Sequence, residues 1–196
     1  MPIKLGITGG IGSGKSIVSR LLEIMGVPVY IADTESKRLA VTDSYIKQEL
    51  VGLLGEEVYQ NGELNKPLLA NYLFSDPEHA RKVNSIIHPR VKEDFRQWAE
   101  QHKASPIIAM EAAILIEAGF ADEVDQIVMV YAPIDLRIER AMKRDAAHRE
   151  AIIKRIESQM SDEEKRSLAH YTIWNDDNRA IIPQVEDLVA RCCKSQ

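Results

Sequence analysis

Cysteine is nearly missing from this chain of 196 residues: there are two, Cys192 and Cys193, side by side. Neighbouring cysteines rarely bridge each other and no other partner exists, so a disulfide framework is excluded and free thiols in a reducing cytoplasm are expected. No apolar run approaches the ~20 residues of a membrane helix. Even the most apolar stretch, residues 107–120, carries Glu111 and Glu117. The opening Met1-Pro2-Ile3-Lys4-Leu5-Gly6 is too short and too soon broken by glycine for a signal peptide. The five histidines stand at no metal-binding spacing, which argues against zinc. A basic excess is lacking too: 25 Lys+Arg against 30 Asp+Glu give a formal charge of −5. That speaks against non-specific nucleic-acid binding, although a local arginine cluster can still hold an anionic small ligand. No nucleic acid and no membrane is expected among the partners, and the expected state is a monomer or weak homo-oligomer.

What is present is the composition of a soluble globular protein, 45% hydrophobic and 28% charged, long enough for one compact domain with small insertions. Residues 3–7 form a short β-rich run ending in glycines and read as a buried strand. Over residues 14–25, Ile17, Val18, Leu21, Leu22 and Met25 recur at helical spacing, and Gly26 and Pro28 stop that helix. Residues 27–31 read as a second strand, and Asp33-Thr34 opens a helix running to residue 40. From about 52 to 103 the pattern is one of short helices separated by turns such as Asn61-Gly62 and Asp76-Pro77, with no strong strand. Strand character returns at 107–110, 126–131 and 171–174. Residues 134–166 read as helical and densely charged, and 181–192 as a closing helix. Five strands alternating with helices predict an α/β fold of three layers, a five-stranded parallel sheet covered on both faces. The stretch at 52–103 is expected to be a helical insertion outside that sheet.

Between the first strand and the first helix stands Gly9-Gly10-Ile11-Gly12-Ser13-Gly14-Lys15-Ser16, which matches G-x-x-x-x-G-K-S/T. By composition alone the four fixed positions coincide in a chain this long on the order of one time in a hundred. The strand before and the helix after lower those odds further. Glycines let successive N–H groups turn inward on phosphate oxygens, and the following helix places its positive end there. Candidate ATP-binding residues are Gly10, Ile11, Gly12, Ser13, Gly14, Lys15, Ser16 and Ile17. Lys15 reaches the β- and γ-phosphates, Ser16 is a ligand for Mg²⁺, and Ile17 adds a backbone N–H at the α-phosphate.

The motif fixes a nucleotide but no acceptor. A guanine-reading N-K-x-D is missing, which argues against a GTPase switch. Asp33 follows the second strand, and strand C-termini line the ligand crevice of a parallel sheet. A carboxylate there can orient or deprotonate an attacking hydroxyl. The competing reading is a plain helix N-cap, for which Asp is favoured, and both roles are compatible.

Further motifs run in order along nearly the whole chain. Gly6-Ile7-Thr8-Gly9-Gly10-Ile11-Gly12-Ser13-Gly14-Lys15-Ser16 resembles the N-terminus of the dephospho-CoA kinase family. Ile31-Ala32-Asp33 resembles its D-A-D segment, Asn61-Gly62-Glu63-Leu64-Asn65 its D-G-x-L-x turn, and Ile87-His88-Pro89-Arg90-Val91 its I-x-H-P-x-V. Ile114-Leu115-Ile116-Glu117 resembles its P-L-L-F-E, Arg140 with Arg144-Asp145 its R-x-x-x-R-D, and Gln159, Lys165 and Ile173-Trp174-Asn175 its tail. The chain departs from the pattern at Ile31, Glu111, Ala113 and His170, and at Arg137, where the family carries Gln.

The resemblance implies a nucleoside-monophosphate-kinase-like P-loop NTPase fold: a core at about 1–51, 104–135 and 168–196, an acceptor-binding insertion at about 52–103 and a helical lid at about 136–167. It implies transfer of the γ-phosphoryl of ATP to the ribose 3′-hydroxyl of dephospho-CoA. Lys15, Asp33 and Arg140 are then the catalytic candidates, with Arg144 and Asn175 on ATP. His88, Arg90 and Glu117, with Asp33, contact the acceptor, and Mg²⁺ lies at Ser16 with Glu111 behind it. Arg140 and Arg144 stand four apart on one helix face. Read without the resemblance they are a solvated basic face paired with Glu139 and Asp145.

Overall fold

Strands buried on both faces read as near-continuous apolar runs, and β1 (Ile3–Thr8), β5 (Ile107–Glu111) and β6 (Gln126–Tyr131) are such runs, interrupted at Lys4 and polar at the ends Thr8, Glu111 and Gln126. The structure, a computed structural model, describes residues 1–194. Around those strands the chain builds α1 (Lys15–Ile24), β2 (Val29–Ile31), α2 (Ala32–Thr42), α3 (Ser44–Leu54), β3 (Tyr59–Gln60), β4 (Glu63–Leu64), α4 (Lys66–Ser75) and α5 (Pro77–Gln101) before β5. After β6 come α6 (Ile134–Asp145), α7 (Arg149–Glu157), α8 (Asp162–Leu168), β7 (Tyr171–Trp174) and α9 (Ile181–Lys194). The residues divide into two compact units: Met1–Ile31 with Trp98–Gln196, and Ala32–Gln97.

In the first unit five parallel strands lie in the order β2-β5-β1-β6-β7. Leu5, Ile7, Ile107, Ala109, Val128, Val130 and Ile173 turn one sheet face onto Val18 and Leu22 of α1 and Val185, Leu188 and Cys192 of α9. Each buried side chain of this size contributes about 1.5–3 kcal/mol against conformational entropy. On the opposite face Gly6 leaves room for Leu115 and Val124, and Tyr30 meets the Trp98 ring edge-on at 5.5 Å. Because every strand points the same way, the loops after β1, β5 and β7 leave from one edge of the sheet. No helix among the described residues is long and apolar enough to cross a membrane.

The charged run at 134–166 is three helices. Ala146 adopts a left-handed conformation (φ 49°) and closes α6. Ser161 caps α8 reciprocally with Glu164, satisfying two orphan N–H groups at its start.

The second unit begins at Ala32, some way before the boundary near residue 52 read from the sequence. Beside buried apolar side chains such as Ile46, Leu50, Val91 and Phe95, it has long-range polar ties: Tyr59 donates to the Ala40 carbonyl at 2.5 Å, Arg38 pairs with Asp94 at 2.6 Å, and Arg90 pairs with Asp43 at 2.9 Å. These bind α2 and α3 to α5 and to the β3–β4 ribbon, which no local periodicity reveals. The Asn61-Gly62 turn, read as a link between helices, is the tip of that ribbon. Both residues have positive φ (53° and 82°), as a two-residue hairpin turn of primed type requires. α5 runs through Pro89, which donates no backbone hydrogen bond there.

Candidate active site

The loop from Gly9 to Gly14 leaves the end of β1 and enters α1 through Gly14, whose left-handed φ of 99° starts the helix without a side-chain cap. A Cβ at Gly14 would collide with the amide of Asn175. The carbonyls of the loop are nearly all engaged. Lys15 Nζ donates to Gly9 O at 2.9 Å and Gly10 O at 3.4 Å. Ser13 N donates to Gly10 O at 3.1 Å. Arg137 Nε donates to Ile11 O at 2.9 Å, and Asn175 Nδ2 to Ser13 O at 2.8 Å. In a trans peptide the C=O and the following N–H point opposite ways, and no cis bond occurs among the described residues. The Gly12 and Gly14 N–H groups therefore point away from Arg137 and Asn175.

Ser16 is exposed at the start of α1, and its hydroxyl donates to Glu111 Oε1 at 3.4 Å. Glu111 is the last residue of β5, registered between Ile7 of β1 and Ile31 of β2, and 8% exposed. A hydroxyl and a carboxylate in this position are hard oxygen donors. They suit Mg²⁺, which takes one or two protein oxygens and fills the rest of its octahedron with phosphate and water. A protein-only cage is not needed, and no group of three or more His, Cys, Asp or Glu that could hold a metal occurs among the described residues.

A cleft of about 370 Å³ lies over the loop, lined by Gly12, Gly14, Lys15, Ser16, Ile17, Arg140 and Arg144. Two α6 arginines thus share a cavity with the loop lysine. A larger hollow, about 580 Å³, lies in the other unit beside the ribbon turn at Gln60 to Pro67. Volume does not single out the site; the gathering of positive groups over a phosphate cradle does.

Arg140 donates to Asn175 O at 3.0 Å and Oδ1 at 3.4 Å, and pairs with Asp177 at 2.5 Å. Asn175 is buried, 6% exposed, and joins the loop to Arg140. That is neither a bare turn residue nor an amide turned out to solvent. Arg144 pairs with its neighbour Asp145 at 2.7 Å, as the solvated-face reading has it. Asp145 also accepts from Arg155 at 2.7 Å. The Arg144 hydrogen bond, then that of Arg155, hold the Asp145 carboxyl well below the usual range.

The remaining candidates are placed as follows. Asp33 lies in the first turn of α2, which starts at Ala32, so it is not an N-cap. Its exposed carboxylate makes no hydrogen bond or ion pair with the described residues, and it favours the positive end of that helix. His88 is half-buried in α5, and burial, then Lys92, push it below its ordinary value, so it is neutral near pH 7. Arg90 is committed to Asp43, whose other oxygen caps α3 through Ile46 N at 3.0 Å. Glu117 accepts from Lys165 Nζ at 2.9 Å and Met160 N at 3.0 Å. Arg90 and Glu117 therefore each have an ion-pair partner in the chain, with the Arg90 side chain still 39% exposed. Sequence reasoning assigned no role to Arg137 and Lys165, which are 2% and 0% exposed. For Arg137 the available signal was a charge on a helix face otherwise built from buried residues such as Ile138 and Ala141; α8 offers none for Lys165.

A first strand running through a glycine loop into a helix, in a sheet of this order, is the P-loop kinase fold. A family model described as dephospho-CoA kinase matches residues 3–180. The chain belongs to the dephospho-CoA kinase family. It is 62% identical over 190 residues to a dephospho-CoA kinase of Bacteroides fragilis strain YCH46, an alignment spanning 97% of this chain and 93% of that protein. The crystal structure of TT1252 from Thermus thermophilus matches with a TM-score of 0.80 at 32% identity, covering 99% of this chain and 97% of that one. A dephospho-CoA kinase from Campylobacter jejuni matches with a TM-score of 0.73 over 100% of this chain and 99% of that one; at 20% identity the likeness is one of fold.

Proposed function

We propose that the chain transfers the γ-phosphoryl group of ATP to the ribose 3′-hydroxyl of dephospho-CoA, giving CoA and ADP. The observation that carries this reading is the phosphate loop with Lys15, Ser16 and Glu111 at one sheet edge, in a chain of this family. Phosphoryl transfer asks for positioning and charge neutralisation more than covalent chemistry. The loop amides and Lys15 hold the β- and γ-phosphates. Ser16 and Glu111 would hold Mg²⁺, which would supply charge neutralisation at the phosphate oxygens. Arg140 and Arg144 reach the transferring group from α6; the helices at about 136–167 act as a lid that excludes water and suppresses ATP hydrolysis.

Asp33 orients the acceptor hydroxyl, or takes its proton, as the free carboxylate of α2. The Ala32–Gln97 unit binds the acceptor, with His88 contacting it as a neutral hydrogen-bonding group. Arg90 and Glu117 support that site by holding α3 and the loop after β5. Two free thiols support a reducing, cytoplasmic setting. A coupled ADP-release assay over a panel of acceptors tests the reading. Turnover with dephospho-CoA and not with nucleoside monophosphates is expected; the reverse pattern overturns the acceptor, and no acceptor-dependent turnover points to a regulator.

A further inference from the structure

Arg137 stands in the first turn of α6 against the outside of the phosphate loop. Its guanidinium lies so close to Gly10 that any side chain there would collide with it, and its backbone carbonyl excludes a side chain at Gly12. Burying a guanidinium is costly unless it is paired and hydrogen-bonded. One arm is ion-paired with Asp162 at the start of α8, and Nε donates to Ile11 O at 2.9 Å. Burial lowers the basicity of Arg137, yet an arginine stays charged. The acceptor of the Nε bond is the informative part. Ile11 C=O and Gly12 N–H belong to one peptide plane, so fixing the first outward fixes the second inward. A glycine-rich loop is free to rotate that plane, and the rotated form presents an oxygen to an incoming phosphate.

We propose that Arg137 is a positioning residue for the donor nucleotide, holding the Ile11 carbonyl on the outside of the loop so that the Gly12 N–H stays on the phosphate side. The inference rests on the loop being the ATP site. Losing the donor leaves only a fraction of the loop competent, and affinity falls by that fraction.

The test is calorimetric titration of ATP and ADP into the full chain and its variants, beside their thermal unfolding without nucleotide. Glutamine places Nε2 the same number of bonds from Cα as arginine places Nε, so Arg137→Gln keeps the donor and loses the ion pair. Arg137→Met loses both. Asp162→Asn weakens the pair and leaves the Nε bond. All three should melt lower than wild type. Only Arg137→Met should weaken ATP, by about tenfold or more, the size expected for a hydrogen bond to a charged group. The other two should stay within about threefold. Arg137→Met binding ATP like wild type overturns the proposal, as does affinity that follows melting temperature across the three. Where Arg137→Met is too unstable to titrate at about 25 °C, it is titrated at lower temperature beside Arg137→Gln: a loss in Arg137→Met alone supports the role, and a loss near tenfold in Arg137→Gln, or none in either, overturns it. A wild-type chain that binds no ATP overturns the phosphate-loop reading itself, and this inference with it.

Discussion

At the residue scale the roles separate by what each side chain has left to give. Lys15 is folded back on Gly9 O; its proposed role is to exchange that carbonyl for phosphate, so Lys15→Ala should abolish turnover in the coupled assay. Asp33 has no described partner, so Asp33→Asn should leave ATP affinity nearly intact and lower kcat by about a hundredfold or more. A near wild-type kcat would return Asp33 to a helix-end charge. Arg140 is held by Asn175 and Asp177. Arg140→Met should cost kcat more than nucleotide affinity, read from titration beside steady-state rates. Asp177 is 66% exposed, so releasing Arg140 by Asp177→Ala should change either parameter by no more than about fivefold, the reach of an exposed pair. The loop residues were legible because their motif is contiguous. Arg137 and Lys165 were not, since burial of a charge depends on partners far along the chain: Ile11 and Asp162 for one, Ala113 and Glu117 for the other.

At the element scale, β1, β5, β6, β7 and α1 were readable, since each buried run or apolar stripe is local. The division of the second unit was not: α2 and α3 join it through Tyr59, Arg38 and Arg90, whose partners lie nineteen to fifty-six positions away. The two-residue strands of the Asn61-Gly62 ribbon are too short to carry a period. The breaks inside 134–166 were equally hidden, because a left-handed Ala146 has no compositional mark. The Ser161–Glu164 box is a start signal with a mechanism that the reading of 134–166 as one charged helical run passed over. Ser161→Ala should lower the unfolding free energy by about 1 kcal/mol in urea titrations. A loss confined to the α8 amides in hydrogen exchange would mean the helix frays by itself.

At the scale of the whole molecule, stability couples to pH and to ligand. His88 has its folded-state pKa pushed down by burial, then by Lys92. Its contribution is fully present above the unfolded value near 6.5 and is lost as pH falls from there through the folded one. Urea midpoints should therefore drop between pH 7.5 and 5.5, and His88→Gln should lessen that drop; an unchanged drop assigns it to other groups. ATP at a hundred times its Kd should add about 2.7 kcal/mol to stability. The adjacent free thiols of α9 offer a further use. Cys193 is exposed, while Cys192 is buried in the sheet core with its thiol pKa pushed up, by burial first and then by Cys193. A thiol-specific dye added to the native enzyme should thus react in two phases. The first reports the outer sulfur, and the second waits for α9 to lift from the sheet. That second rate is an internal clock for opening of the core, readable in unmodified protein and slowed by any nucleotide that tightens it.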